Sequence, residues 1–72
     1  MVTAYLDFQE TLNPGRKTRV WEVRNTVLLG RVAWWSHWRR YTFWPEKATI
    51  LDAACLREVA DFLEARMAER KP

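Results

Sequence analysis

The sequence predicts an α+β domain in which a three-stranded antiparallel β-meander packs on one C-terminal amphipathic helix. Between residues 17 and 45 apolar and polar residues alternate, which is the period of a strand. From about residue 50 the apolar period lengthens to that of a helix. Short connections between the strand-like runs require antiparallel neighbours. The helix then has only one sheet face on which to bury its apolar side.

The N-terminal segment is a candidate fourth strand. Val2, Ala4, Leu6 and Phe8 alternate with other residues, and the turn signal Asn13-Pro14-Gly15 follows them. The sequence leaves open whether this strand joins the sheet or covers its outer face. We therefore predict one small domain over residues 1–72, with an extra strand and turn in 1–16, the meander in 17–45 and the helix in 50–70.

The meander consists of three runs, RVWEVRN, LLGRVAWW and WRRYTFW. Asn25-Thr26 and Ser36-His37 are the predicted reversals between them. Pro45 ends the third run because proline has no backbone donor for a strand ladder.

The helix has two alternative starts. Thr49 and Asp52 fit a capping box, whereas Asp52 as the N-cap would allow Leu51 to contact Leu56. The predicted buried stripe is Leu51, Cys55, Leu56, Val59, Phe62, Leu63 and Met67, and the predicted solvated side is Arg57, Glu58, Asp61 and Glu64.

The tryptophan-rich run from Trp34 to Trp44 must be split between the two sheet faces, because adjacent strand residues point to opposite sides. The helix side is predicted to carry Trp21, Val23, Val32, Trp34, Tyr41 and Phe43. The outer side then carries Arg24, Arg31, Trp35, Trp38, Arg40, Thr42 and Trp44. A one-residue slip in the third strand would exchange its two faces. Either phase leaves aromatic rings and arginine exposed, so the candidate binding residues are Arg24, Arg31, Trp35, Trp38, Arg39, Arg40 and Trp44.

The net charge of +3 is concentrated in the middle of the chain. Residues 16–47 contain only Glu22 and Glu46 as acids, against Arg16, Lys17, Arg19, Arg24, Arg31, Arg39, Arg40 and Lys47. A basic middle segment indicates a directional field rather than charge spread evenly over the surface for solubility.

Catalytic chemistry is not predicted. Cys55 lies in register with the apolar stripe, His37 lies in a turn, and nothing resembles a phosphate loop or a metal cluster. We therefore expect no enzyme activity, no cofactor and no metal. We expect a cytoplasmic protein that does not associate with a membrane. The chain has a single cysteine, no signal peptide and no apolar run of the ~20 residues needed to span a bilayer.

Two binding functions fit these features. In the first, arginines contact phosphates and the rings stack on bases of DNA or RNA. In the second, the same rings anchor a protein partner and the arginines form a polar rim. A homodimer through the outer sheet face is a further alternative. The concentration of arginine in the strands favours nucleic acid.

The chain also resembles a group of short proteins encoded by phages and prophages. The resemblance covers residues 17–66 and is carried by W-E-V-x-N, L-G-x-V-x-W, W-R-x-Y-x-F-x-P and C-L-x-E-V-A-x-F. It implies a host-cell setting, and it raises the alternative of a protein that binds or inhibits a host factor or an anti-phage defence protein.

Overall fold

The computed structural model describes residues 5–70 as one antiparallel four-stranded sheet and one helix. The elements are β1 (Asp7–Thr11), β2 (Val20–Arg24), β3 (Leu28–Trp35), β4 (Arg40–Pro45) and α1 (Ala53–Ala68), and the strands follow one another in chain order across the sheet. The predicted α+β class is confirmed. In the described part of the N-terminal segment, Asp7–Thr11 form the fourth strand at the edge beside β2, so these residues do not cover the outer face. Val2 and Ala4 lie outside the described residues.

The strand registers place the apolar residues of β2, β3 and β4 in rows under the helix. Trp21 lies opposite Val32, Val32 opposite Phe43, and Trp34 opposite Tyr41. Val23 and Val32 are fully buried. The predicted phase of the third strand is thus confirmed, because Tyr41 and Phe43 face the helix rather than the outer side.

The helix begins after Asp52, whose side chain accepts the N–H of Cys55 at 2.9 Å. Thr49 has another role, because its hydroxyl donates to the Leu29 carbonyl at 2.8 Å and ties the β4–α1 connection to the sheet. The second alternative for the helix start is therefore the observed one. The predicted stripe is wrong at Leu56, which is 53% exposed. The helix packs on the sheet through Cys55, Val59, Phe62, Leu63 and Met67.

Glu58 is the second departure from the predicted helix faces. Its carboxylate accepts the backbone N–H groups of Tyr5 and Leu6 at 2.7 and 3.0 Å. The chain leading into β1 passes beside the helix at this point, and its donors there have no strand partner. Phe8 then stacks on Phe62 with ring centroids 4.1 Å apart. Glu58 and Phe62 together hold the edge strand on the helix.

Candidate binding surface on the outer sheet face

The outer face is the side of the sheet turned away from α1, and its β1–β2 half has mixed charge. Asp7 lies opposite Arg24, and Gln9 lies opposite Glu22. The Arg24 guanidinium is 3.1 Å from the Glu22 carboxylate. Such exposed ion pairs contribute little to stability, but they reduce the positive field that this half offers to a partner.

The β3–β4 half of the outer face carries an aromatic cluster, which we define as Trp35, His37, Trp38 and Trp44. Trp35 and Trp44 meet edge to face with centroids 5.3 Å apart, and His37 stacks on Trp35 at 4.7 Å. Trp38 is 66% exposed and Trp44 is 45% exposed. An open depression of about 290 Å³ lies among Trp35, Trp38, Thr42, Phe43 and Trp44. Flat apolar rings around a shallow opening suit a planar or apolar ligand group.

The loop between β3 and β4 places Trp38 beside this depression. Trp38 was predicted within a strand that follows a Ser36-His37 reversal, and that prediction is wrong. The loop spans residues 36–39, and the Trp35 carbonyl accepts the N–H groups of both Trp38 and Arg39, at 3.2 and 2.8 Å. Arg39 closes the loop in the left-handed region with φ of 56°. That conformation is most often adopted by glycine or asparagine, so the sequence gives no signal for it.

Arg39 and Arg40 supply positive charge beside the aromatic cluster. Neither forms an ion pair with the residues that the structure describes, and both are exposed. The Arg40 Nε donates to the Trp38 carbonyl at 3.4 Å. The strand pair Trp35–Arg40 brings this guanidinium to the root of the loop.

The structure thus brings together five of the seven candidate residues, which are Trp35, Trp38, Arg39, Arg40 and Trp44. The other two belong to the same face but are held by carboxylates, Arg24 by Glu22 and Arg31 by Glu46 at 3.4 Å. Sequence reasoning placed His37 only in a turn and missed its stacking on Trp35. The available signal was their spacing: His37 follows Trp35 by two positions, so the loop can fold its ring back onto the ring at the end of β3.

The two groups considered for nucleophilic chemistry lie far apart. His37 is in the β3–β4 loop, while Cys55 is in the first turn of α1, at the opposite end of the sheet. Burial raises the pKa of the Cys55 thiol, and its hydrogen bond and charge interaction with Asp52 raise it further. Within residues 5–70 no three His, Cys, Asp or Glu side chains come together as metal ligands. In the same part of the chain no helix has the length and apolarity needed to cross a membrane.

The fold and this surface define a small α+β protein with an aromatic outer sheet face. The chain is 38% identical over 72 residues to an uncharacterized 9.3 kDa protein of Acholeplasma phage L2. The match covers 96% of this chain and 92% of the phage protein, so the chain belongs to the same family of small phage proteins. The predicted resemblance to uncharacterised phage proteins is confirmed. No family model matches the chain, and no solved structure matches it.

Proposed function

We propose that this phage-family protein is a non-enzymatic module that binds nucleic acid in the cytosol of the host cell. The binding site is the β3–β4 half of the outer face. One observation carries the proposal: the exposed rings of Trp38 and Trp44 border an open depression, and the next two residues after Trp38 are Arg39 and Arg40, which form no ion pair with the described residues.

The chemistry of these side chains matches the two surfaces of a nucleic acid. Every base presents a flat π-face, and stacking one base on an aromatic side chain is worth about 1–3 kcal/mol. The tryptophans supply such rings without a hydrogen-bonding pattern that selects a sequence. Arg39 and Arg40 reach the phosphates that flank a stacked base. We therefore expect binding with weak sequence preference.

The ion pairs of Arg24 and Arg31 determine how strongly binding should depend on salt. If all four outer-face arginines neutralised phosphates, the slope of log K against log salt would be roughly −3 to −4 on duplex DNA. With Arg24 and Arg31 occupied by Glu22 and Glu46, the two remaining arginines give roughly −2. A slope near zero would contradict the proposal.

The test is a titration of tryptophan fluorescence with oligonucleotides on the full chain and three variants. Trp38→Ala should weaken binding by roughly 5- to 150-fold, the loss of one stacked base. Arg39→Asn removes the charge and keeps a residue that tolerates the left-handed conformation. Arg57→Gln, on the exposed side of α1, is the matched control for charge. The proposal fails if no oligonucleotide binds, or if Arg57→Gln weakens binding as much as Arg39→Asn.

A protein partner is the second candidate function, and the mixed charge of the β1–β2 half favours it. Asp7 and Glu22 lie on the same face as the aromatic cluster, as do the paired Arg24 and Arg31. Aromatic anchors inside such a rim are typical of protein interfaces. The partner would then be a host or defence protein, or a second copy of the chain. Trp44→Ala would in that case abolish dimer formation in sedimentation equilibrium or binding to a defined partner, and oligonucleotides would leave the fluorescence unchanged.

A further inference from the structure

The β1–β2 connection, the β3–β4 loop and the C-terminus of α1 meet at one end of the molecule, which we call the loop end. In the antiparallel sheet, residues 12–19 and 36–39 leave the strands at the same side. The helix ends there as well, because the Arg70 guanidinium lies 4.2 Å over the ring of Trp34. Arg19 in the first connection is 3.3 Å from Glu69 after the last turn of α1.

The loop end concentrates basic side chains, most of which form no ion pair with the described residues. Seven basic side chains are gathered here, which are Arg16, Lys17, Arg19, Arg39, Arg40, Arg66 and Arg70. Glu10 and Glu69 pair with Arg19, and Glu69 also pairs with Arg66. The other five form no ion pair with the described residues, although Glu64 borders the same surface depression as Arg40. Of the acids, Asp7, Glu46, Asp52 and Glu58 lie toward the opposite end, whereas Glu10, Glu64 and Glu69 lie at the loop end.

The β3–β4 hairpin extends beyond the end of β2 at the loop end. Trp21 pairs with Val32, so Trp34 and Trp35 extend two residues beyond the start of β2 at Val20. At 3.3 Å per residue this overhang is about 7 Å. The connection that carries Arg16 and Lys17 lies about two strand spacings to the side, roughly 10 Å away. Cations therefore continue from the aromatic cluster across the end of the sheet.

We propose that the loop end is a phosphate track which extends the aromatic site, and that the ligand is single-stranded nucleic acid. This inference rests on the proposed function and identifies its substrate class. A single strand stacks its bases on Trp38 and Trp44 and runs its phosphates over Arg39 and Arg40 toward Arg16 and Lys17. Proteins that bind single strands combine a positive groove with stacking rings in this way.

Two features favour a single strand over a duplex. The rings of the aromatic cluster offer faces that only unpaired bases can stack on. A duplex laid along the outer face would also bring phosphates against Glu22 on the inner strand β2 and against Asp7 on the edge strand β1. The track across the loop end avoids both carboxylates.

The test compares oligothymidylates and oligouridylates of about 4 and about 12 nucleotides, both within the usual range of site sizes of about 4–16 nucleotides, with a duplex of the longer length. The longer strand should bind at least roughly tenfold more tightly than the shorter one in at least one series. The double variant R16Q/K17Q should weaken only the longer strand and reduce its salt slope by about 1.4, since each single-strand phosphate contributes about 0.7. The double variant K47Q/R57Q removes the same charge away from the loop end and should have no such effect.

The outcomes separate the two proposals. If short and long strands bind equally, or if both double variants weaken binding equally, the track is wrong and the aromatic site stands. If the duplex binds more tightly than the single strand, the single-strand inference is wrong. If no oligonucleotide binds, the proposed function and the track fail together. All four substituted side chains are exposed, so both double variants should keep the fold, which circular dichroism checks.

Discussion

The ring of Phe43 lies over Gly30 on the helix side of the sheet. A Cβ on residue 30 would stand 2.8 Å from two carbons of that ring, and it would also meet the Trp44 carbonyl. The glycine therefore provides the space that the ring fills next to Val32. This contact joins the inner strand β3 to the edge strand β4 on the side of the sheet that packs on α1.

Gly30→Ala should destabilise the protein by about 1–3 kcal/mol, because the added methyl group overpacks a filled site. Urea unfolding followed by circular dichroism measures the change. Arg31→Ala, the neighbouring residue on the outer face, is the control and should change the free energy of unfolding by no more than about 0.5 kcal/mol. Equal effects of the two substitutions would show that Gly30 is not sterically constrained.

Tyr41→Phe tests the bond that joins the β1–β2 connection to β4. The buried Tyr41 hydroxyl accepts the Arg19 backbone N–H at 3.1 Å. Its removal leaves that donor without this partner and should cost about 0.5–1.5 kcal/mol in unfolding free energy. Tyr5→Phe, at a 54% exposed tyrosine, should have no measurable effect. A loss of the same size in both variants would argue against the bond.

Glu58→Ala tests the attachment of β1 to the helix. The carboxylate satisfies the backbone donors of Tyr5 and Leu6, which lead into that strand. Without it, amide exchange in β1 should accelerate roughly tenfold or more, since an unsatisfied donor costs about 1–3 kcal/mol. Exchange at Val32 should remain slow, because β3 lies between two strands. Glu58→Gln keeps one carbonyl acceptor, so its exchange rate in β1 should lie between those of the wild type and Glu58→Ala. Equal acceleration of exchange in all four strands would refute a local role for Glu58.

Asp52 should make stability depend on acid pH. The Cys55 N–H holds the pKa of the Asp52 carboxyl below its ordinary value of 3.8. A depressed folded-state pKa means that the stabilisation is present above that ordinary value and is lost as pH falls through the lower folded value. Asp52→Asn keeps a good N-cap without a titrating group. Below about pH 4 the melting temperature of the wild type should therefore fall more steeply than that of Asp52→Asn. Parallel curves would contradict this.

The sheet core was predictable from sequence because its signals are periodic. Trp21, Val23 and Val32 alternate with polar residues, and burial under a helix then fixes the phase of each strand. The β3–β4 loop was not predictable, since its left-handed residue is Arg39 and neither glycine nor asparagine marks it.

The electrostatics of the candidate site were predictable only in part. Arg24 and Glu22 stand two positions apart in one strand, so their pairing follows from alternation. Arg31 and Glu46 meet only because the β3–β4 register places Arg31 beside the end of β4. The distribution of charge along the sequence does not show that Arg31 and Glu46 are neighbours in the fold. Glu58 was assigned to solvent for the same reason, because its partners Tyr5 and Leu6 come from the far end of the sequence.

The overhang of the β3–β4 hairpin separates the proposed binding residues from those that hold the fold. Trp34 and Tyr41 anchor its root, where Met67 Sδ accepts the Tyr41 N–H at 3.3 Å. Trp38 and Arg39 lie beyond that root and bury little surface. Substitutions at the tip therefore cost little stability. If the proposed binding site is correct, a few substitutions at the tip would change what the protein binds while the sheet and helix beneath it stay as they are.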